Sequence, residues 1–207
     1  MSDFYILEYS DADPGCPVYL AAELNHEQTE WNIFEPRPFD VEVKNDYVLQ
    51  ITDKTIRDVD FDMEGRHGKY VSHQFLDVCQ SLGVRFRAIP LTILLPNKKK
   101  TRKEYFFFLP CDYLMLMDRS SSVFVEDIDP ETNRPKRNKL FPFSPIYNRI
   151  DSFVPIAGAM PELFCCLENM ELVCTEKFRQ EAEKNRLFGI RYVPIDSSYK
   201  YDPWADW

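Results

Sequence analysis

The segment Tyr70 to Leu91, YVSHQFLDVCQSLGVRFRAIPL, returns in altered form as Leu172 to Ile195, LVCTEKFRQEAEKNRLFGIRYVPI. In each copy an apolar run leads to a hydroxyl residue suited to capping a helix, Ser72 or Thr175, with a phenylalanine three residues on, Phe75 or Phe178. Phe75, Val78, Cys79 and Leu82 fall at i, i+3, i+4 and i+7, one face of a helix. Gly83 and Gly189 are placed to end the helices in a left-handed conformation, Tyr192 takes the place of Phe86, and each copy closes near a proline, Pro90 or Pro194. The spacing predicts helices over 72–82 and 175–187, each between strands. Two copies about 100 residues apart are too few and too distant for a solenoid. The expected fold is α+β: a mainly antiparallel sheet with two principal helices in a pseudo-duplicated β-α-β arrangement. The whole chain, 1–207, reads as a single domain with its internal repeat at 70–91 and 172–195.

Between the copies the pattern is mostly that of strands. FYILEY near the start alternates like an edge or half-buried strand, and DVEVKNDYVLQIT reads as two short strands turning at Asn45-Asp46. Pro36 and Pro38 keep residues 25–38 out of a helix, with Trp31 and Phe34 as anchors of that loop. EYFFFLPCDYLMLMD reads as two apolar strands broken near Pro110. NKKKTRK is expected to be a solvated basic hairpin tip, and RPKRNK a flexible basic loop.

Charge is distributed unevenly. The net charge is −9, yet residues 1–64 hold 16 acidic and 4 basic side chains, so the remainder of the chain is slightly basic. Such a first third disfavours nucleic acid and favours a basic protein partner. Within it, IRDVDFDMEG alternates Val59, Phe61 and Met63 with Asp58, Asp60, Asp62 and Glu64. Period two predicts a strand with the apolar residues on one face and four carboxylates on the other. A calcium loop fits poorly, because Met63 and Lys69 stand where glycine and glutamate are required. A solvated face and a partner-facing stripe both stay open. Like charges side by side repel, a cost that a positive partner relieves, so Asp58, Asp60, Asp62 and Glu64 are the candidate partner-binding residues, with Trp31 as an apolar anchor.

The chemistry-bearing motifs are sparse. No G-x-S-x-G, H-E-x-x-H, phosphate loop or dinucleotide fingerprint occurs, and with six glycines a glycine-lined cradle is not expected. Six cysteines without metal-type spacing read as buried reduced thiols, and the three histidines are too scattered for a zinc site. Ser120 to Ser122 read as a turn. No catalytic residue, metal or cofactor is assigned. With no run of apolar residues long enough for a membrane helix and an acidic N-terminus, the expected location is the cytoplasm, without membrane or nucleic acid partners.

FYILEY, VSHQFLDVCQSLGVRFRAIPL, YFFFLPCDYLMLMDRSSS and ELFCCLENMELVCTEKFRQEAEKNRLFGIRYVPI together resemble immunity protein family 11 and immunity protein family 43 of bacterial polymorphic toxin systems. The likeness touches both ends and the middle of the chain, about half its length, through structural motifs; residues 10–69 and 126–149 lie outside it. It implies a non-enzymatic cytosolic antitoxin that neutralises a cognate toxin by binding it, as in interbacterial competition, and it carries no catalytic residues. The charge suits a toxin with a basic surface, such as a nuclease. The alternative is a small enzyme or ligand-binding domain with a pocket between the two β-α-β lobes.

Overall fold

A computed structural model describes residues 3–44, 46–65 and 69–204. Its strands are β1 (Phe4–Tyr9), β2 (Ala22–Leu24), β3 (Val48–Ile51), β4 (Met63–Glu64), β5 (Tyr70–Ser72), β6 (Phe86–Leu94), β7 (Tyr105–Pro110), β8 (Tyr113–Leu114), β9 (Val123–Glu126), β10 (Tyr147–Ser152), β11 (Leu163–Cys166), β12 (Glu171–Thr175) and β13 (Ile190–Pro194). The helices are α1 (His73–Ser81) and α2 (Glu176–Lys184). The strands form a six-stranded sheet β2-β3-β6-β7-β5-β4, a five-stranded sheet β13-β1-β12-β11-β8 and a ribbon β10-β9. Only β3-β6 and β11-β8 pair in parallel among these neighbours. The fold is α+β with two helices, as the repeat predicts. No described helix is long and apolar enough to cross a membrane.

Both helices start where their caps place them. Ser72 Oγ accepts from Phe75 N at 3.1 Å, and Thr175 Oγ1 accepts from Phe178 N at 3.3 Å. Each cap hydroxyl in turn donates to a carboxylate on the neighbouring strand segment, Ser72 to Asp62 and Thr175 to Glu162. The main chain repeats the relation: Ser72 N donates to Asp62 O and Thr175 N to Glu162 O, each at 3.0 Å.

The two units thus share their hydrogen bonding, and the likeness extends beyond the β-α-β segments alone. β5 and β6 flank α1 in sequence but are separated in the sheet by β7, which pairs antiparallel with both. β12 and β13 likewise flank α2 and are separated by β1. Phe4 therefore occupies the ladder position of Tyr105, opposite Thr175 as Tyr105 is opposite Ser72. The inserted strand follows its unit in the first copy and precedes it by most of the chain in the second. FYILEY is consequently an interior strand of its sheet and not an edge, and it is half-buried, the other of the two expectations.

Ladder register corrects two equivalences drawn from the sequence. Pro90 opposes Phe106 as Pro194 opposes Tyr5, so Phe86 corresponds to Ile190, and Tyr192 corresponds to Ala88. Gly83, at φ 70°, does close α1, but its counterpart after α2 is Arg186 at φ 55°. Gly83 N donates to Gln80 O and Arg186 N to Glu183 O, the same closing bond. Gly189 serves a different contact: a Cβ there would lie 3.1 Å from Phe61 Cβ and 3.2 Å from Met63 O. Because Arg186 holds a left-handed conformation that glycine adopts without a Cβ clash, Arg186→Gly should raise stability by about 0.5–1 kcal/mol. Urea denaturation of the two chains reads this directly, and a loss of stability would contradict the assignment.

The core has three regions. One fills the curl of the six-stranded sheet, with Leu49, Phe61, Ile89, Tyr105 and Phe107. The second lies between the repeat units, where Phe75 and Phe178, both 0 % exposed, meet edge to face with centroids 5.8 Å apart. The third packs the ribbon on the five-stranded sheet through Phe124, Tyr147, Ile150 and Phe164. The basic segment 134–139, expected to be flexible, is tied to its neighbours by bridges Ile128–Pro135 and Arg137–Pro145 and by the Lys136–Asp127 ion pair. Val41–Lys44 forms no strand, leaving one strand where two were expected, and the expected turn residue Asn45 lies outside the described residues.

Candidate functional site

The acidic stripe keeps its predicted periodicity on the apolar side only. Val59, Phe61 and Met63 are all 0 % exposed, but strand pairing covers just Met63–Glu64. The four carboxylates do not share one open face. Asp58 pairs with Arg102 at 2.6 Å, and Asp60 with Lys103 at 3.1 Å. Asp62 is 0 % exposed; it accepts from Lys103 Nζ at 2.8 Å and from Phe188 N at 2.7 Å, besides Ser72 Oγ. Lys103 also donates to Asp60 O at 2.7 Å. The physical reason is plain: Arg102 and Lys103, at the end of the basic hairpin, fold back onto the stripe and supply from within the positive charge that was expected from a partner. Trp31 is likewise inside, its ring 5.1 Å from Phe107 and 5.4 Å from Tyr47. It anchors its own loop, as expected, and is only 9 % exposed.

Glu64 takes a different environment. The six-stranded sheet curls until its end strands β2 and β4 line one groove, with Ala22, Ile33, Leu49 and Tyr70 on its apolar walls, Lys69 along it and Glu64 in one part of it. The groove runs on past Leu24, Glu27 and Trp31 into a hollow of about 570 Å³. Of the five candidate residues, the structure thus brings Glu64 and Trp31 to this groove, and gathers Asp58, Asp60 and Asp62 under the basic hairpin. Apolar side chains stand open in the groove or beside it: Ile33, in its wall, is 59 % exposed, and Val18 and Tyr19, just before the lining residue Leu20, are 83 % and 76 % exposed. Sequence reasoning missed them, since a short stretch such as PVYL has no periodicity to mark it as surface.

Burial pushes the Glu64 carboxyl up to about 7, against the pull of Lys69, from an ordinary value of 4.5. The folded protein therefore holds a proton there that the unfolded chain releases near pH 4.5. Stability should fall as pH rises from about 4.5 to about 7 and level off above, because ionising this carboxyl opposes folding. Glu64→Gln should remove that share of the slope in melting temperature against pH; an identical slope in both chains would contradict it.

The groups with nucleophilic or ligating potential are dispersed. Burial raises the thiols of Cys79, Cys166 and Cys174 well above their usual range and pushes Cys16 up to about 11, so these cysteines stay protonated at neutral pH. His26 pairs with Asp46 at 2.9 Å and His73 with Asp77 at 3.5 Å, while His67 lies outside the described residues. Ser120 and Ser121 both donate to Asp118, closing a turn as expected. Among the described residues no group of three His, Cys, Asp or Glu is arranged to hold a metal ion. Comparisons of the sequence with models of known protein families and with curated proteins give no match.

Proposed function

We propose that this chain is a non-enzymatic immunity protein that binds and neutralises a cognate bacterial toxin in the cytoplasm, the toxin presenting a basic surface such as that of a nuclease. The observation that carries the reading is the exposure of Ile33 in the wall of a groove that also holds Glu27 and Glu64, with Val18 and Tyr19 exposed just before its lining residue Leu20. Large apolar side chains left in water beside acidic ones are costly for an isolated chain and useful at an interface. The charge of the first third gives the partner its sign: with 16 acidic against 4 basic residues, it attracts a cationic protein and repels a phosphate backbone. The resemblance of the repeat and the opening strand to immunity protein families 11 and 43 points the same way.

The test is a paired substitution, Tyr19→Ser with Ile33→Ser, in which both side chains are exposed and should leave the melt nearly unchanged. Binding to the cognate toxin, sought among the products of the neighbouring genes, should weaken about tenfold or more, as expected when anchors at an interface centre are removed. Equal affinity of the substituted and native chains would place the interface elsewhere.

A further inference from the structure

We propose that the groove between β2 and β4 takes an extended, basic segment of the partner protein as an added strand along β2, a docking mode that rests on the toxin-binding reading above. β2 is the end strand of its sheet, and among the described residues it pairs on one side only, with β3. Thr52 N donates to Ala21 O and Asn25 N to Val48 O, each at 2.9 Å, which fixes the phase of the ladder. Residues 21, 23 and 25 bond towards β3, so the main-chain N–H and C=O groups of Ala22 and Leu24 point away from it. Ala22 and Leu24 also line the groove, so this open edge faces a ready-made channel.

Natural sheets commonly guard such an edge by keeping it short or by placing charge, proline or a bulge on it. β2, Ala-Glu-Leu, is short and its one charge is negative, a guard that turns away acidic strands and leaves the edge open to a basic one. Its charged residue is Glu23, exposed, with Glu27 lining the groove further along, against Lys69 as the described cation lining it; Glu64, across the groove, keeps its proton up to about pH 7, and a cation docked beside it would favour its ionised form. An added strand would draw affinity from main-chain bonds to Ala22 and Leu24 and selectivity from side chains on alternate positions. Apolar ones would pack towards Ile33 and Tyr70, and a lysine or arginine would meet the carboxylates. A nucleic acid in the same channel would meet carboxylates along its phosphates, which disfavours it.

Random dodecapeptides displayed on phage and selected on the full chain provide the probe, with titration of the selected peptides in solution. Sequences alternating apolar residues with lysine or arginine should be enriched. Proline at position 22 removes one outward donor while the bonds of Ala21 and Glu23 to β3 remain. Ala22→Pro should therefore weaken peptide binding about five- to tenfold. Glu27→Lys should weaken it further and reduce its salt dependence. Should Ala22→Pro fail to fold, hydrogen exchange of the native chain serves instead, with peptide slowing the amides of Ala22 and Leu24. Failure to enrich any such sequence, or peptides that bind the Ala22→Pro chain as tightly as the native one without protecting β2, would overturn the proposal. A concentration-dependent dimer of the chain alone that Ala22→Pro abolishes would also overturn it, by making the occupant a second copy. Protection from the toxin distinguishes this idea from the function it rests on: an Ala22→Pro chain that protects fully refutes strand addition, whereas a native chain that fails to protect refutes toxin neutralisation.

Discussion

Replacing Asp62 by alanine is expected to lower stability by about 3–5 kcal/mol, because it breaks a buried ion pair from one side only. The carboxylate is fully buried and joins three distant parts of the chain: Lys103 after the basic hairpin, Ser72 at the start of α1, and the main-chain N–H of Phe188 after α2. Lys103, with its side chain 21 % exposed, keeps Asp60 as a partner, which moves the expected loss towards the lower end of that range. Ser72 can still cap the helix, but the Phe188 N–H loses its acceptor. Asp58→Ala breaks only the pair with Arg102, whose side chain is 75 % exposed, and should cost under about 1 kcal/mol. Denaturant curves for the two variants measure the contrast; equal small losses would mean that Asp62 is not the junction described.

Phe75→Ala and Phe178→Ala should each cost about 3–5 kcal/mol, since each empties a fully buried ring volume at the junction of the repeat units. Phe75 also meets Phe108 at 5.5 Å, so its loss opens contacts to the helix and the sheet together. As the two rings touch, the double variant should lose less than the sum of the single losses, because the second deletion enlarges a cavity that already exists. Strict additivity would indicate that the rings are energetically independent and would weaken the case for a shared core between the units.

The parts of this fold legible in the sequence are those that depend on neighbours along the chain. Ser72 with Phe75, and Thr175 with Phe178, mark helix starts because capping is a three-residue relation. The burial of Val59, Phe61 and Met63 follows from alternation alone. What completes each repeat is not local. β7 and β1 enter equivalent places in their sheets from opposite directions in sequence, and no periodicity records which strand slides between which.

The same limit explains the acidic stripe. A run of carboxylates shows that positive charge is wanted, and it does not show whether that charge comes from a partner or from Lys103, about forty residues further on. The opposite signs of DVDFD and KTRK were the available clue. Gly189 misled for a related reason: a glycine after a helix usually ends it, while here the close approach of Phe61 requires it and Arg186 ends the helix. Glu64 was legible as a carboxylate but not as part of a groove, because the groove exists only once the sheet curls.

Growth is the most direct measure of toxin neutralisation. If a neighbouring gene encodes a toxin domain, cells expressing that domain should stop growing, and should resume growth when the native chain is made with it. The two proteins should then co-purify as a complex that higher salt weakens, as expected for an acidic surface meeting a basic one. Tyr19→Ser with Ile33→Ser should restore growth less well at equal protein level. If the native chain, folded and abundant, neither restores growth nor binds that toxin domain, the account of this protein as an immunity protein is contradicted.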